Sequence, residues 1–231
     1  MPTFGQIATV VSRKLIDPNN TAVALADVKQ AINDAQRFWR YRRFWFNEDS
    51  TVFNFVASNP FVCEDGVSPP AEYVGAPSLP SDFLSEFPEA GFVIRYSNVS
   101  YPMTKVHPRE YDTANVAAIG IPSIYTWRKG RFEFYYYPNL DYTCHCYYFK
   151  NYVDLVADDD TNDFTEYADQ LLIYEALSRL SGEDRQDLQM DNSYAAKADR
   201  EYANLERQTF KKTASGRLEV NSILDSTFSN Y

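Results

Sequence analysis

The sequence has few of the residues on which most enzyme chemistry depends. Its 231 residues include 2 His, 3 Cys and 8 Gly. Two histidines leave few bases for a Ser-His-Asp triad, and no GxxxxGK or GxGxxG phosphate-binding loop occurs. Three cysteines imply no disulfide framework and fit a reducing compartment. We therefore expect a protein that is not an enzyme.

The sequence also has no sign of membrane insertion or export. No apolar run approaches the roughly 20 residues that a membrane span needs. Residues 1–17 lack the basic, apolar and small-residue stretches of a secretory signal. We therefore expect no membrane partner.

Charge and aromatic content point towards protein interfaces. The chain has 22 Lys and Arg against 32 Asp and Glu, which gives a formal net charge of −10. A chain this acidic is not expected to bind nucleic acid generally. Its 18 Tyr, 16 Phe and 3 Trp make up 16% of the residues. Tyr and Trp suit surfaces that are buried at one end and wet at the other, as interfaces are.

Apolar residues spaced three and four apart predict helices near both ends of the chain. In the second helix, Leu25, Val28, Ile32, Ala35 and Trp39 form one apolar face. The predicted helices cover residues 4–16, 22–46, 163–182 and 187–210.

Alternating apolar and polar residues predict strands in the middle of the chain. Lys129-Gly130 separates two such stretches and predicts a hairpin, which a third strand at 142–149 continues as a meander. Further strands are predicted at 51–56, 91–96 and 101–107.

Together these patterns predict an α+β fold. Two N-terminal and two C-terminal helices are expected to form a four-helix bundle, with an inserted antiparallel β domain and an extended C-terminal tail. The bundle is expected over 1–50 and 160–212, the β-rich domain over 51–159 and the tail over 213–231. Because the tail is too polar to fold alone, we expect it to fray or to bind a partner.

Two clusters resemble metal sites only weakly. In a strand, Cys144 and Cys146 face one side and His145 the other, so the three cannot bind one ion without a bulge. The aspartates at 158–160 lack the spaced ligands and glycine turn of a calcium loop. We expect sheet packing at the first cluster, a solvated linker at the second, and no metal or cofactor. Asp163 after the linker, with Glu166, matches a helix-capping box.

Arginines alternate with aromatic residues from Arg37 to Phe46, at the end of the second helix. Such side chains can stack on bases and hold phosphates. They can also stack and pair with carboxylates between subunits, and the acidic charge of the chain favours this second role. The residues expected at an intersubunit interface are Arg37, Arg40, Arg42, Arg43, Trp39 and Trp45.

Two further groups are candidate contact residues. The tyrosines Tyr135, Tyr136 and Tyr147 can form a carbohydrate-stacking surface or pack on both faces of a sheet, and we favour sheet packing with one face towards a partner. The polar tail after Gly216 keeps a few apolar anchors. These are Leu218, Val220, Ile223, Leu224 and Phe228.

Several short motifs occur together in a fixed order over about residues 20–210. They are AINDAQ (31–36), LPSDFL (79–84), YPM (101–103), EYD (110–112), GIPSIY (120–125), YPNLDY (137–142) and the helix after NDF (162–164). In order and spacing, the chain resembles the head-to-tail adaptor, or head completion, proteins of tailed bacteriophages, especially short-tailed ones.

The resemblance implies a structural protein of the virion neck, assembled in the host cytoplasm. It implies a dodecameric ring that joins the portal to the tail and lines the DNA exit channel, with double-stranded DNA passing through unbound by sequence. The C-terminal segment, with the five apolar anchors, is expected on the portal protein. The β region, with the three tyrosines, is expected to face a tail nozzle or hub protein.

An alternative is a tail or neck module that uses its Tyr-rich sheet to contact another tail protein or a glycan. Oligomeric state separates the two, because only the adaptor should build a ring on a portal. A hydrolase has only the abundance of carboxylates in its favour. The Pro-rich loop at 63–77 is expected to be either a contact to a tail or fibre protein or a surface excursion.

Overall fold

The computed structural model describes residues 1–15, 23–64, 66–71, 75–88, 91–113, 118–183 and 187–228, the last 15 of them by backbone only. Over these ranges the fold is mixed α+β. The helices are α1 (Phe4–Lys14), α2 (Leu25–Trp39), α3 (Pro108–Thr113), α4 (Asp163–Tyr167), α5 (Asp169–Glu183) and α6 (Leu188–Phe228).

The strands all lie between α2 and α4. They are β1 (Glu48–Phe55), β2 (Phe61–Cys63), β3 (Phe83–Glu86), β4 (Phe92–Tyr96), β5 (Val99–Pro102), β6 (Thr104–Lys105), β7 (Ile119–Gly120), β8 (Ile124–Arg128), β9 (Arg131–Tyr135), β10 (Tyr137–Pro138) and β11 (Tyr142–Lys150). No helix in the described ranges is both long enough and apolar enough to span a membrane.

The chain divides into two compact units. The helical unit comprises Met1–Asn47 and Tyr152–Tyr231, and the β unit comprises Glu48–Asn151. Each unit has an apolar core of its own.

Helix α5 packs against α1, α2, α4 and α6 in the helical unit. The apolar face predicted for α2 is confirmed over most of its length, because Val28, Ile32, Ala35 and Trp39 are buried. Leu25, in the first turn, is 42% exposed and does not join that core.

Two side-chain amides of α2 hold the chain where it returns from the β unit. The Asn33 Nδ2 donates to the Leu155 carbonyl and the Asn33 Oδ1 accepts from the Leu155 N–H, both at 3.0 Å. One turn later, the Gln36 Nε2 donates to the Val153 carbonyl at 3.0 Å. We call these contacts the amide clamp. They pair backbone groups that have no helix or sheet partner, which buried backbone requires.

Helix α2 ends at Trp39, with Arg40 as its C-cap, so the prediction that it reaches Phe46 is wrong. The buried Asn47 side chain donates to the carbonyls of Arg40 and Arg42 at 3.3 and 2.8 Å, and accepts from the Phe44 N–H at 2.9 Å. These three bonds fold residues 40–47 into a turn, because they satisfy backbone groups that another helical turn would have paired.

The acidic run at 158–160 is structured, which corrects its interpretation as an open linker. The carbonyls of Asp160 and Asp158 accept from the N–H groups of Phe4 and Gly5 at the start of α1, at 3.0 and 2.9 Å. The Asp158 carboxylate lies 2.6 Å from the Lys29 ammonium. The acidic residues therefore satisfy the open end of a helix, where negative charge is favourable.

The C-terminal helices begin and end differently from the prediction. The side chain of Asn162, and not Asp163, caps α4, and its capping-box partner is Thr165. A non-helical Ala168 separates α4 from α5. Helix α6 continues to Phe228, so the extended tail expected from residue 213 is wrong. This stretch has no proline, and its one glycine, Gly216, costs a helix only about 1 kcal/mol.

The β unit contains two larger sheets and a short parallel pair, β10-β7. One sheet has the order β1-β11-β4-β5, with β3 also paired to β11, and the other has the order β2-β9-β8-β6. Aromatic rings join their inner faces: Phe92 lies 4.7 Å from Phe132 and 5.1 Å from Phe134 between ring centroids. At the ends of loop 63–77, the Cys63 N–H donates to the Pro77 carbonyl at 2.9 Å.

The predicted hairpin is confirmed, but the meander is wrong. β8 and β9 pair antiparallel around Lys129 and Gly130, whose φ angles of 53° and 76° fit the left-handed turn that hairpins favour. β11 does not continue this sheet. It pairs with β1, β3 and β4 in the other sheet, where Cys144 and Cys146 fill the inner face.

We expect Asn33→Leu to destabilise the helical unit by about 2–4 kcal/mol, because it leaves a buried N–H and a buried carbonyl of Leu155 unpaired. Urea unfolding followed by the helical circular dichroism signal measures this. The control Gln30→Ala removes an exposed bond to Asp34 and should change stability by less than about 0.5 kcal/mol. Equal stabilities for the two variants would contradict the clamp.

We expect Asp160→Asn to lower the melting temperature at neutral pH. The N–H groups of Val156 and Ala157 donate to the Asp160 carboxylate and lower its pKa from the usual 3.8. A carboxylate whose pKa is lower in the folded state than in the unfolded state stabilises the fold above its unfolded pKa. This stabilisation is lost as the pH falls through the folded pKa. The difference from the native chain should therefore vanish in strong acid. The control Asp159→Asn should change the melting temperature little, both at neutral pH and in strong acid.

Candidate functional site

The aromatic residues at 37–46 divide between the core and the surface. Trp39, Phe44 and Phe46 are buried. The Trp39 ring stacks on Tyr202 of α6 at 4.9 Å, and the Phe46 ring meets Phe164 of α4 edge-on at 5.2 Å. Trp39 therefore packs within its own chain, and its indole is not available to a neighbouring subunit in this arrangement.

Arg37 is engaged inside the helical unit. Its Nε donates to Asp154 Oδ1 at 2.9 Å, a second guanidinium nitrogen bonds the other oxygen of that carboxylate, and Nη1 donates to Asp34 at 2.9 Å. The hydrogen bond to Asp154 is the main reason that the pKa of Arg37 is raised. Fork-shaped pairing of this kind fixes the orientation of both groups. Because Asp154 lies between Val153 and Leu155, Arg37 adds a charged contact to the amide clamp.

The remaining side chains form an exposed patch that we call the arginine–aromatic surface. It consists of Phe38, Tyr41, Arg42 and Arg43, together with the half-buried Arg40. Phe38 is 49% and Tyr41 62% exposed. The Arg40 guanidinium lies 5.1 Å from the Tyr41 ring and donates to its hydroxyl at 3.1 Å. Guanidinium groups can stack on aromatic rings and can also pair with carboxylates in fork geometry.

Trp45 lies at the margin of the core. The backbone N–H of Trp45 donates to the Thr209 hydroxyl at 3.3 Å. The Lys212 ammonium lies 3.8 Å from the centroid of the Trp45 ring. Tyr167, whose ring lies 5.9 Å away, and Phe210 are 44% and 68% exposed. The half-buried indole thus borders the exposed ring of Tyr167 and the ammonium group of Lys212.

The three tyrosines do not form one surface. Tyr135 and Tyr136 stack at 4.3 Å between centroids at the end of β9. Tyr147 is on β11, in the other sheet, where its ring lies 6.3 Å from Phe87. A cleft of about 270 Å³ lies beside Tyr147 and Phe87, and Glu48, Asp49 and Ser50 complete its lining.

A larger hollow of about 470 Å³ lies at the β4–β5 turn. Its lining is mostly polar, with Arg95, Ser100, Thr143 and His145 beside the half-exposed Tyr96. Burial, and then the charge of Arg95, lowers the pKa of His145. Hydroxyl groups, an imidazole and a guanidinium beside an aromatic ring suit a polar ligand.

The CHC sequence follows the alternation predicted for a strand. Cys144 and Cys146 are buried on the inner face, where burial raises the pKa of both thiols. His145 faces the other side. Within the described residues, no group of three His, Cys, Asp or Glu side chains is arranged to hold a metal ion.

The five apolar anchors all fall on the last turns of α6. Their side chains lie outside the described residues, and only their helical backbone is described. They are Leu218, Val220, Ile223, Leu224 and Phe228.

Several residues of these surfaces were not predicted from the sequence. Phe38 lies next to the apolar face of α2 and so out of its helical phase, a signal that could have marked it as exposed. Lys212 and Phe87 carry no such signal, because their partners Trp45 and Tyr147 are far away along the chain.

The comparison with known families agrees with the resemblance seen in the sequence. Residues 2–220 match the family model described as SU10 adaptor protein. No curated protein matches the chain. The family comprises phage head-to-tail adaptors, structural proteins of the virion neck that interact with portal and tail components. Since the match covers nearly the whole sequence, the chain belongs to the SU10 adaptor protein family.

Proposed function

We propose that this chain forms a dodecameric adaptor ring that joins the portal to the tail and lines the DNA exit channel. The observation that carries the proposal is the family match over residues 2–220. The arginine–aromatic surface supports it, because exposed Arg and Tyr residues are typical of binding hot spots. The protein acts by geometry and needs no catalytic group.

A ring repeats one contact between two different faces of each subunit. In this proposal the arginine–aromatic surface is one face, and a carboxylate-rich surface of the next copy is the other. A net charge of −10 makes carboxylates plentiful, and arginine pairs with them in fork geometry. Arg40, Arg42, Arg43 and the margin residue Trp45 make the contact, whereas Arg37 and Trp39 support it from inside.

The helical unit forms the body of the ring in this proposal. Its four longest helices, α1, α2, α5 and α6, act as a bundle around the buried face of α5. The end of α6 reaches the portal protein. The five apolar anchors on that segment have the residue types that pack into a hydrophobic groove.

The β unit faces the tail nozzle or hub protein in this proposal. Tyr135 and Tyr136 contact it through one sheet, and Tyr147 through the other. DNA passes through the ring without sequence-specific binding, because an acidic wall repels phosphates and keeps the duplex from adhering.

Light scattering on a sizing column tests the proposal directly. The solution mass is measured for the chain alone and after mixing with its cognate portal. Added mass near a dodecamer for each portal would support the adaptor ring. A chain that ignores the portal would contradict it.

A second candidate is a neck or tail module that binds a glycan or another tail protein. The polar hollow at Arg95, Tyr96 and His145 favours it, because hydroxyl groups beside an aromatic ring suit a sugar. Such a module would bind its ligand as a monomer and would leave the mass of the portal unchanged.

We expect the double variant Arg42→Glu, Arg43→Glu to weaken ring formation about 100-fold or more. Hydrogen bonds to charged groups contribute about 1.5–3 kcal/mol each, and reversing the charge adds repulsion. Ring formation on the portal is measured by light scattering, and folding by circular dichroism. The control Arg95→Glu, Arg109→Glu reverses two exposed arginines of the β unit and should still assemble. Normal assembly of the first variant would contradict the interface.

We expect a chain that ends at Thr213 to fold but to lose portal binding. Among the α6 side chains that the structure describes, which end at Thr213, the buried ones are Ala198, Leu205 and Thr209, and the cut leaves all three in place. A full-length chain with serine at the five apolar anchors is the matched control and should behave in the same way. If the truncated chain bound the portal with unchanged affinity, the C-terminal contact would be wrong.

A further inference from the structure

Strand β1 is an edge strand whose outward backbone groups can be identified. Among the strands that the structure describes, it pairs with β11 alone. The Tyr147 N–H donates to the Gly91 carbonyl at 2.8 Å, and the Tyr147 carbonyl accepts from Phe87 at 3.0 Å, so both groups point away from β1. Ser50, opposite Tyr147, is therefore in a non-hydrogen-bonded pair. By alternation, the N–H and carbonyl groups of Ser50, Val52 and Asn54 point outward.

Most of these outward groups have no partner among the described residues. The Ser50 N–H donates to the Asp49 carboxylate at 2.7 Å. No described residue forms a backbone hydrogen bond with the outward groups of Val52 or Asn54. Val52 is 53% exposed. The outer side of β1 is thus a template to which another strand can be added.

Strand β1 lacks two of the devices that usually prevent such pairing, proline and lysine. β1 has eight residues without Pro or Lys, whereas the opposite edge strand, β5, has four and ends in Pro102. Proline and lysine are common means of blocking sheet edges. β1 is therefore the better of the two edges for adding a strand.

The cleft at the start of β1 indicates the chemistry of a partner. Glu48 and Asp49 provide carboxylates, and Phe87 and Tyr147 provide rings 6.3 Å apart. Carboxylates beside aromatic faces favour a guanidinium, which pairs with the first and stacks on the second. An added strand would place a side chain beside Ser50, next to this cleft.

We propose that β1 binds an extended segment of the tail component that carries an arginine. The segment adds antiparallel to β1, bonds the outward groups of Val52 and Asn54, and places its arginine in the cleft beside Tyr147. This deepens the proposed function, on which it rests for the identity of the partner. Main-chain bonds give the affinity, and the cleft gives the specificity.

Residue-resolved amide exchange by NMR tests the proposal on the full chain. The probe is a short capped peptide of alternating threonine and valine with arginine at its C-terminal end. Exchange should slow at least tenfold at Val52 and Asn54 and stay unchanged at Thr51 and Phe53, whose amides face β11. This every-other-residue pattern is specific to strand addition. Unchanged exchange at saturating peptide, or protection elsewhere only, would overturn the proposal.

Matched variants separate the edge from the cleft. Val52→Pro removes one outward N–H without touching the bonds to β11 and should abolish protection. If it fails to fold, Val52→Lys serves instead, with Val99→Lys on the half-exposed edge strand β5 as the control that binds normally. Asp49→Lys, or a peptide with glutamate in place of arginine, should weaken binding at least tenfold.

Two further outcomes keep the proposals distinguishable. Protection of Val52 and Asn54 without peptide, rising with chain concentration, would mean pairing between copies and would overturn the assignment to a tail segment.

Mass added to the portal is measured for the same variants. If Val52→Lys joins the portal but native chain shows no peptide protection, only the strand addition fails. If the native chain ignores the portal, the adaptor ring fails.

Discussion

The helical unit depends on the hydrogen bonds that Asn33 makes with the backbone of Leu155. The chain leaves this unit after Asn47 and returns at Tyr152, so residues 153–155 arrive without a neighbouring strand or helix ladder. The Arg37 guanidinium of α2 pairs with the Asp154 carboxylate, and the two amides of α2 supply the missing backbone partners. Because an unpaired buried backbone group costs more than a made bond contributes, these side chains are required rather than merely favourable.

The segment 37–46 has both buried aromatic rings and exposed side chains. Its buried rings bind it to α4 and α6, while Phe38, Tyr41 and the neighbouring arginines stay outside. Asn47 fixes the backbone between them through three hydrogen bonds. The backbone that carries the exposed side chains is therefore fixed, which in the proposed ring reduces the entropy lost on binding.

Much of the fold was predictable because its signals are local. The apolar spacing of α2 and the Lys129-Gly130 turn depend on neighbours within a few residues, and both predictions are confirmed. The end of α2 was not predictable, because it is set by one buried side chain, Asn47, several residues later. The partners of β11 are set by pairing over more than 80 residues with β1, which no local pattern contains. For the candidate site, the helical phase of α2 distinguishes the exposed Phe38 from the buried Trp39, whereas the contact between Lys212 and Trp45 joins residues far apart along the chain and depends on packing.

The pairing of β1 with β11 has a consequence for how such a protein can evolve. These are the first and last strands of the β unit, and Glu48 lies directly opposite Phe149. The β unit therefore begins and ends at almost the same point, on one pair of adjacent strands. Its loops can be lengthened, or the whole β unit exchanged for another whose first and last strands pair. Neither change alters the distance between Asn47 and Tyr152, where the helical unit is interrupted. In the proposed arrangement, where the β unit faces the tail, one helical unit can in this way be matched to different tail proteins.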